Sequence, residues 1–578
     1  MSNIFDGFSW NSPELAKKRN IFKHNFTRDT SGNLGEIKPV AIFETIPGST
    51  YDLKKISTQT IVPSAMKHPM LSQLYQDVHI FYVPWRIIWE HYKLFEGNDE
   101  PTAWNEAPQG TYSTPQLSFE GAPVQCGDIG HTLGLPVGFN GKVTHLPFRA
   151  LAKIYNYFYR DENVEVSQNT YYDTDVTVSR TTVFGSGTTF QNNVDLGRMS
   201  PFSSGSKSYS PDLDNKNGIA CAGWCPHAYK LRDFFQTLLP KPQKGLPVTI
   251  SLAGVAPINT GDSVRTYDHP LMLQTNTNVE GLLSMQSGVA GTIGGQPTPQ
   301  QGLINGTNLY TDLSSVAVVS IDELTTAFNI QKVMHKLAHS GTRYDEWLLG
   351  IFGERVPDFR IDEPECIGGF RRRLNVGTVL QSSNVDTQAT PTGTMYGFSN
   401  SVNGKEKLGQ FTAKERGYII FCTVVRTDNQ YSQGLNAMWT RKTRFDYAYP
   451  PLANLPDEAH YRSEVRWDPN DHHALGYSER YGSYKYTESR VSGMLDPNAE
   501  ESLANWTASE VLKTAPTLSP SWKKSIGLFF DRALVYPHFI LDQNGTVQDT
   551  GPDQFILSFY FESDHRLPLP IHTKPYRL

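Results

Sequence analysis

The sequence predicts a mainly β fold with a few helices carried on the connections between strands. Aromatic residues make up 12% of the 578 residues, and the chain contains 46 Gly and 37 Pro. Tyr and Phe favour the half-buried surface of a pleated sheet, whereas Gly and Pro form turns and break long helices. Hydrophobic residues at 38% and charged residues at 19% indicate a globular chain with a core, not a disordered one.

Short apolar runs bounded by turn residues predict the strands. Residues 76–84 (QDVHIFYVP) alternate between polar and apolar and then become continuously apolar, as a buried strand does. The same pattern recurs at residues 246–253 (LPVTISLA), 418–426 (YIIFCTVVR) and 555–562 (FILSFYFE). We therefore expect at least these four runs to belong to sheets.

Helical spacing of apolar residues is found in two places. Residues 149–161 (RALAKIYNYFYRD) show it over three turns. Residues 322–352 show it over a longer stretch, which Gly341 interrupts. Because glycine commonly ends a helix, this second region predicts two helices that meet at a bend.

The composition excludes several classes of protein. No run of about 18 apolar residues could span a membrane, and the first 20 residues lack the pattern of a secretory signal. Five Cys in 578 residues suit a reducing compartment and argue against a disulfide framework. We therefore expect synthesis in the cytoplasm.

Charge is distributed unevenly along the chain. The formal net charge of −6 disfavours a simple electropositive nucleic-acid binder. Residues 17–28 are nevertheless locally basic, with five cations and no Asp or Glu. These cations are candidate nucleic-acid contacts: Lys17, Lys18, Arg19, Lys23 and Arg28. Residues 565–578 are also basic, through Arg566, Lys574 and Arg577. Both ends could therefore bind an anionic partner on an otherwise acidic protein.

Two stretches have the composition of insertions. Residues 163–217 are rich in Ser, Thr, Asn and Tyr, and residues 257–311 are rich in Gly, Gln and Thr. Between residues 281 and 311 there are seven Gly and no Lys, Arg, Asp or Glu. Such a segment cannot form a core alone. It suits a surface loop that packs against symmetry copies, although an ordinary long disordered loop remains an alternative.

No catalytic or metal motif is convincing, so we predict no enzyme activity, no metal and no cofactor. His335 and His339 are one helical turn apart, but Lys336 stands where a zinc protease needs Glu. Residues 211–218 contain clustered oxygen ligands in the wrong register for a calcium loop. Cys221 and Cys225 have no second pair at zinc spacing. Paired carboxylates for glycoside hydrolysis depend on the fold and stay open.

Two clusters are candidate interfaces. Arg371, Arg372 and Arg373 follow a Gly-Gly turn, and three successive strand residues must point to both faces. Ion pairs between subunits or contacts with nucleic acid would both use such guanidinium groups. The aromatic run at residues 81–95 includes Trp85, Arg86 and Trp89. Its rings could stack on bases or be buried at a core or subunit contact.

Eight stretches between residues 44 and 570 form a recognisable series: ETIPGSTYDL (44–53), MKHPM (66–70), FYVPWRIIWEHYKLFEG (81–97), LPFRALAKIYNYFYRDEN (146–163), LPKPQKG (239–245), FNIQKV with GTRYDEWLLGIFG (328–353), PECIGG (364–369) and RLPLP (566–570). Together they resemble one family, the major capsid proteins of the gokushovirus branch of the Microviridae, in which they occur in the same order. Lys241 departs from the family, which usually has Trp there.

The resemblance implies a viral jelly roll, in which eight antiparallel strands form two facing sheets with long insertions between strands. It implies that residues 1–578 form one jelly-roll domain, and that sixty copies close a T=1 icosahedral shell around circular single-stranded DNA. We expect residues 1–40 to form an interior arm. The resemblance also implies protrusions at the three-fold axes, for which residues 257–311 are the first choice and residues 163–217 the second.

The implied partners are other copies of the chain, the DNA genome, a small basic DNA-binding protein, a pilot or minor capsid protein, and a host surface receptor reached through the protrusions. The expected location is the virion of a bacteriophage, after synthesis in the bacterial cytoplasm. The alternative function is that of a β-sandwich protein that binds or cleaves carbohydrate, because jelly rolls and aromatic platforms serve that role too.

Overall fold

The computed structural model describes residues 19–61, 71–97, 113–181, 218–246, 321–357, 362–374, 408–496 and 555–569. It also describes shorter stretches between 248 and 311, 377 and 406, and 498 and 548, and residue 571. The chain divides into two units, one made of residues 1–242 and 341–578, the other of residues 243–340.

Twenty-three strands and seven α-helices are found in the described residues. The strands are β1 (Asn20–Gly32), β2 (Lys38–Thr45), β3 (Thr50–Ile61), β4 (Leu74–Pro84), β5 (Gln116–Ser118), β6 (Lys142–Thr144), β7 (Val178–Ser179), β8 (Ile258–Thr260), β9 (Met272–Gln274), β10 (Glu280–Leu282), β11 (Ser284–Met285), β12 (Ile293–Gly294), β13 (Leu309–Thr311), β14 (Glu365–Leu374), β15 (Gly377–Leu380), β16 (Met395–Glu406), β17 (Gly409–Thr412), β18 (Gly417–Thr427), β19 (Glu458–Tyr461), β20 (Ala474–Ser478), β21 (Ile540–Leu541), β22 (Val547–Gln548) and β23 (Phe555–Leu567). The helices are α1 (Tyr92–Gly97), α2 (Ile129–Thr132), α3 (Leu146–Ile154), α4 (Ile321–His339), α5 (Tyr344–Phe352), α6 (Gly482–Lys485) and α7 (Pro520–Lys523).

Two antiparallel sheets face each other in the larger unit. One has the strand order β14-β4-β18-β2, and the other has the order β1-β23-β3-β16-β15, with β17 also paired to β3. Side chains from both sheets form a common buried cluster, in which the Phe421 ring of one sheet packs edge-on against the Phe561 ring of the other at 5.1 Å. The predicted mainly β class is therefore confirmed, and the two sheets form a β-sandwich.

The two inner strands of the four-stranded sheet, β4 and β18, are buried on both faces. One face packs against the six-stranded sheet, and the other packs against α3 and the aromatic segment after β4. Ten of the eleven residues of β18 are consequently buried, whereas buried residues alternate with more exposed ones along β23. This difference explains why residues 418–426 are a continuous apolar run and residues 555–562 an alternating one.

The structure confirms three of the four predicted strands and both helical regions. Residues 76–84, 418–426 and 555–562 lie in β4, β18 and β23, while residues 246–253 lie almost entirely outside the described residues. The first helical region is α3, which continues into a π-helical turn at Tyr155–Tyr159. The second is α4 followed by α5, and Gly341 between them has a φ of 97°. That left-handed conformation favours glycine.

The predicted insertions are only partly described. Residues 182–217 lie outside the described residues, and β7 is the strand found in the first part of the 163–217 region. Within residues 257–311 the backbone forms three antiparallel strand pairs, β8 with β13, β9 with β10, and β11 with β12. These pairs belong to the smaller unit. No helix in the described part of the chain has the length and apolar composition needed to cross a membrane.

Two adjacent glycines in β14 provide a test of the strand packing. A Cβ on Gly369 would lie 2.6 Å from the backbone oxygen of Val78, whereas a Cβ on Gly368 would come no closer than 3.6 Å to Leu408. We expect Gly369→Ala to lower the free energy of unfolding by about 1–3 kcal/mol, because the β4 backbone must move. Gly368→Ala should change it by less than about 0.5 kcal/mol. Urea denaturation curves that coincide for the two variants would contradict this packing.

Candidate assembly and nucleic-acid surfaces

A buried carboxylate organises the arginines at the outer edge of the four-stranded sheet. Asp77 of β4 is 1% exposed and pairs with Arg371 of β14, while Arg426 lies two residues beyond Val424, the partner of Asp77 in β18. Arg371 donates from Nε to Oδ1 at 2.6 Å and from Nη2 to Oδ2 at 3.0 Å. Arg426 donates from Nε to Oδ2 at 3.0 Å. One carboxylate thus joins three neighbouring strands.

The electrostatics of this triad favour the ionised carboxylate. Burial alone would raise the pKa of Asp77, but the hydrogen bonds and positive charges of Arg371 and Arg426 outweigh it and lower the pKa. Arg371 is 49% exposed on its side chain, whereas Arg426 is only 16% exposed. The sequence predicted the arginines of this site but gave no sign of the carboxylate that pairs with them.

The three successive arginines point to both faces of the sheet, as their position in a strand requires. Arg371 and Arg373 are exposed and lie opposite Asp77 and Tyr75, whereas Arg372 is half-buried and lies opposite Gln76. The Arg372 guanidinium is 4.8 Å from the ring centre of Phe370. Arg371 and Arg373 are therefore exposed on β14, an edge strand of the four-stranded sheet. Their role in contacts between subunits stays a prediction.

Trp85 and Trp89 are placed in the core of the subunit, not on its surface. Trp85 is 7% exposed and Trp89 is fully buried, and both belong to the cluster that covers the outer face of the four-stranded sheet. The Trp89 indole donates to Asp175 Oδ1 at 2.5 Å. Within the subunit these side chains contribute to the core, and a role at a contact between subunits stays a prediction.

Arg86 lies beside these tryptophans but is partly exposed. Its Nε donates to both carboxylate oxygens of Glu415, at 3.1 and 2.8 Å, and its Nη1 contacts Asp362. Burial would lower the pKa of Arg86, but the two carboxylates outweigh it and raise the pKa. Arg86 thus joins the connection after β4 to the loop before β18.

The basic N-terminal segment forms the outer strand of the six-stranded sheet. Lys17 and Lys18 lie outside the described residues, and Arg19 is exposed just before β1. Lys23 and Arg28 are both exposed on β1, which pairs only with β23 among the described strands. The Arg28 guanidinium is 5.8 Å from the ring centre of Phe26, which anchors the strand on the core.

A buried cation fixes the segment after α7 to the region of α3. Lys524 Nζ is 2.7 Å from Glu165 Oε1 and donates to the Tyr155 hydroxyl at 2.6 Å. The Tyr229 hydroxyl donates to the same carboxylate at 2.5 Å, and burial together with this negative charge raises the pKa of Tyr229. Burial also lowers the pKa of Lys524. This buried network of hydrogen bonds joins α7 to the region of α3 and restricts the movement of both.

In the part of the chain that the structure describes, the residues with metal or nucleophile chemistry form no assembled site. No group of three or more His, Cys, Asp or Glu able to hold a metal is present among the described residues. Cys221 and Cys225 are buried, and burial raises the pKa of each thiol to about 11. His335 on α4 is 2.9 Å from Gln331 of the same helix.

A small cavity contains two carboxylates, which bears on the carbohydrate alternative. Glu464 and Glu488 both line it, together with aromatic side chains. His460 Nδ1 is 3.0 Å from Glu464 Oε2, while Asn436 donates to Glu488 Oε1 at 2.7 Å and Arg490 Nε is 3.0 Å from the same oxygen. Both carboxylates are held by protein groups, and the carbohydrate alternative stays a prediction.

Sequence reasoning missed one surface, the segment that follows β18. Residues 438–450 are exposed except for Arg441, and they include Trp439, Phe445 and Tyr447, with exposed fractions of 68%, 54% and 51%. Large exposed rings in succession mark an interaction site more often than an accidental surface. The signal was present in the sequence, as rings alternate with cations in MWTRKTRFDYAY (residues 438–449).

Comparison with known proteins identifies the family. The profile of the family described as "Capsid protein (F protein)" matches residues 13–575. Capsid protein VP1 of Chlamydia phage 1 is 27% identical over 97% of this chain and 96% of its own length. VP1 of Spiroplasma virus 4 is 29% identical over 94% and 92% of the two chains, and VP1 of Bdellovibrio phage phiMH2K is 27% identical over 97% and 96%. The chain therefore belongs to the capsid protein (F protein) family and is a major capsid protein, as the resemblance implied.

Proposed function

We propose that sixty copies of this chain close a T=1 icosahedral shell around circular single-stranded DNA. The observation that carries the proposal is the match to a capsid family over residues 13–575, on a chain whose described residues form a β-sandwich. A structural role in the virion follows from it, in place of an enzymatic one. Closed symmetry limits growth of the shell, and many modest contacts then hold it together.

The strand connections support an eight-stranded jelly roll as the detailed topology. Successive strands β2, β3 and β4 alternate between the two sheets, and β17 and β18 do so again. In the four-stranded sheet β18 lies between β2 and β4, so strands far apart in sequence become neighbours. Greek-key connections have this property, and two of them make a jelly roll.

The smaller unit is our candidate for the three-fold protrusion. It contains residues 257–311, whose second half (residues 281–311) has no Lys, Arg, Asp or Glu. Its helix α4 exposes Leu324, Phe328 and Val333, with fractions of 41%, 59% and 50%. Copies around a three-fold axis would bury such side chains and the uncharged loop together, at a gain of about 25 cal/mol per Å². The host receptor would then be reached through this unit.

Packaging requires a source of positive charge. Sixty subunits at −6 each carry about −360 charges, so the shell as a whole repels a genome. Locally basic segments on the inner face, or a separate small basic protein, must therefore neutralise the phosphates. A pilot or minor capsid protein is the remaining expected partner. The segment at residues 17–28 is our first candidate for the inner contact.

Neutralising the basic arm should reduce DNA content while the shell still forms. The variant replaces the five arm cations by glutamine: Lys17, Lys18, Arg19, Lys23 and Arg28. We expect particles of normal size with less nuclease-protected DNA, and oligonucleotide binding whose salt slope is smaller by about 0.7 per lost cation. The measurements are electron microscopy of particles made with the phage partners, and the ratio of absorbance at 260 and 280 nm.

A control variant carries the same kind of substitution, lysine to glutamine, at positions outside residues 17–28. It replaces three exposed lysines by glutamine: Lys54, Lys142 and Lys485, which are 40%, 52% and 60% exposed. Particles of this control should retain their DNA. Unchanged DNA content in the arm variant, or cleavage of the arm on intact particles by an added protease, would refute an interior role for residues 17–28.

A further inference from the structure

The segment at residues 437–449 presents aromatic rings and cations side by side. Trp439 is 68% exposed, and Phe445 is 54% exposed. The Arg441 guanidinium is 3.9 Å from the ring centre of Tyr484, and the Arg444 guanidinium is 4.5 Å from that of Phe445. Rings and guanidinium groups thus form one surface, which we call the 439 platform (residues 437–449 with Tyr484).

Hydrogen bonds hold the platform in place. The Tyr484 hydroxyl accepts from the Ala448 amide at 3.3 Å, and the Tyr481 hydroxyl accepts from the Tyr449 amide at 3.2 Å. Asn436 Oδ1 accepts from the Met438 amide at 2.9 Å at the start of the segment. The backbone is therefore anchored at both ends while the side chains point to solvent. Such preorganisation lowers the entropic cost of binding a partner.

The charges of the platform suit an anion. Its three cations, Arg441, Lys442 and Arg444, have no carboxylate within ion-pair distance among the described residues. The one acid of the segment, Asp446, accepts from the Lys442 and Thr443 amides at 2.8 and 2.7 Å, and these bonds lower its pKa. The segment is thus locally positive on a chain whose formal net charge is −6.

We propose that the 439 platform binds single-stranded nucleic acid, with exposed rings stacking on unpaired bases and the cations contacting phosphates. This inference rests on the proposed function, since it names a contact between the shell and its genome. Every base has a face on which a ring can stack, so the site needs no particular sequence. A duplex would hide its bases from the rings, and the platform should therefore prefer single strands.

The test measures binding of the purified full chain to a fluorescein-labelled oligothymidine by fluorescence anisotropy. Trp439→Ala should weaken binding about tenfold, because base–ring stacking is strong. Replacing Arg441, Lys442 and Arg444 by glutamine should reduce the salt slope by about 2, at about 0.7 for each cation. Trp439→Phe keeps a ring and should restore most of the affinity. Circular dichroism of each variant confirms that it is folded.

Two matched controls isolate the platform. Trp467→Ala removes another exposed tryptophan, 57% exposed, and a glutamine variant of the exposed Lys54, Lys93 and Lys142 removes three cations elsewhere. Neither should change binding of the oligonucleotide. Equal losses in platform and control variants, or unchanged binding in the platform variants, would overturn the inference.

The outcomes separate this inference from the proposed function. If the unaltered chain assembles and binds the oligonucleotide but the platform variants do so equally well, the platform is wrong and the shell proposal stands. If the platform variants bind normally yet fail to assemble, a second copy of the chain covers the platform, which also contradicts the inference. If the unaltered chain neither assembles nor binds a single strand, the proposed function itself fails.

Discussion

Replacement of Trp89 by alanine is expected to lower the free energy of unfolding of the subunit by about 3–5 kcal/mol. The side chain is fully buried against Tyr92 and Phe95, whose ring centres lie 6.5 and 5.1 Å from its own. Its removal leaves a cavity that the close-packed core cannot fill, and it leaves Asp175 without the indole donor. Urea denaturation of the purified subunit, followed by circular dichroism, measures the loss.

Two further variants distinguish a core role from an interface role. Trp89→Phe keeps most of the volume but not the indole hydrogen bond, so a smaller loss of about 1–2 kcal/mol is expected. Trp467→Ala, at an exposed position, should change stability by less than about 0.5 kcal/mol. A Trp89→Ala subunit with unaltered stability and defective assembly would show that Trp89 meets a neighbour after all.

Asp77→Asn should have the second large effect, a loss of about 3 kcal/mol. Removing one member of a buried charge group leaves the others without compensation, and Arg426 is only 16% exposed. Loss of charge at Asp77 also weakens the links between β4 and both of its neighbouring strands. Arg371→Ala is the matched control. It removes a half-exposed partner and should lower the free energy of unfolding by about 1 kcal/mol.

The pH dependence of the difference in free energy of unfolding between the unaltered chain and Asp77→Asn gives an independent check. The folded state lowers the pKa of Asp77, so the carboxylate contributes stability above its unfolded pKa of about 3.9. That contribution is lost as the pH falls through the lowered value. The stability gap between the unaltered chain and Asp77→Asn should therefore be constant near neutral pH and shrink below about pH 4. A gap that persists at acid pH would contradict an ionic origin.

Local patterns predicted the strands well because the burial of a strand determines the order of apolar and polar residues along it. The continuous apolar run at 418–426 and the alternating run at 555–562 follow from burial on two faces and on one face. The order of the strands could not be predicted in the same way. Pairing of β1 with β23 joins the two ends of the chain, and nothing in either segment specifies a partner more than 500 residues away.

The candidate sites were less predictable than the fold. Composition shows that residues 81–95 are aromatic, but it does not distinguish a subunit core from an interface, and Trp89 proved to be core. The cluster of arginines at 371–373 could be recognised in the sequence. The carboxylate that pairs with Arg371 could not, because Asp77 lies 294 residues away in the chain. The 439 platform was overlooked because its rings resemble the rest of an aromatic-rich chain. The rings alternate with cations in the sequence, but their exposure to solvent is a property of the folded state.

The mass of the particle formed by the purified chain tests the central claim most directly. Sedimentation velocity, or mass measurement of single particles, of material made with its phage partners should give one uniform shell species. Sixty chains of 64.9 kDa correspond to about 3.9 MDa before any DNA is added. A lone monomer that cleaves or binds sugar, with no closed particle under conditions that preserve the fold, would contradict the account.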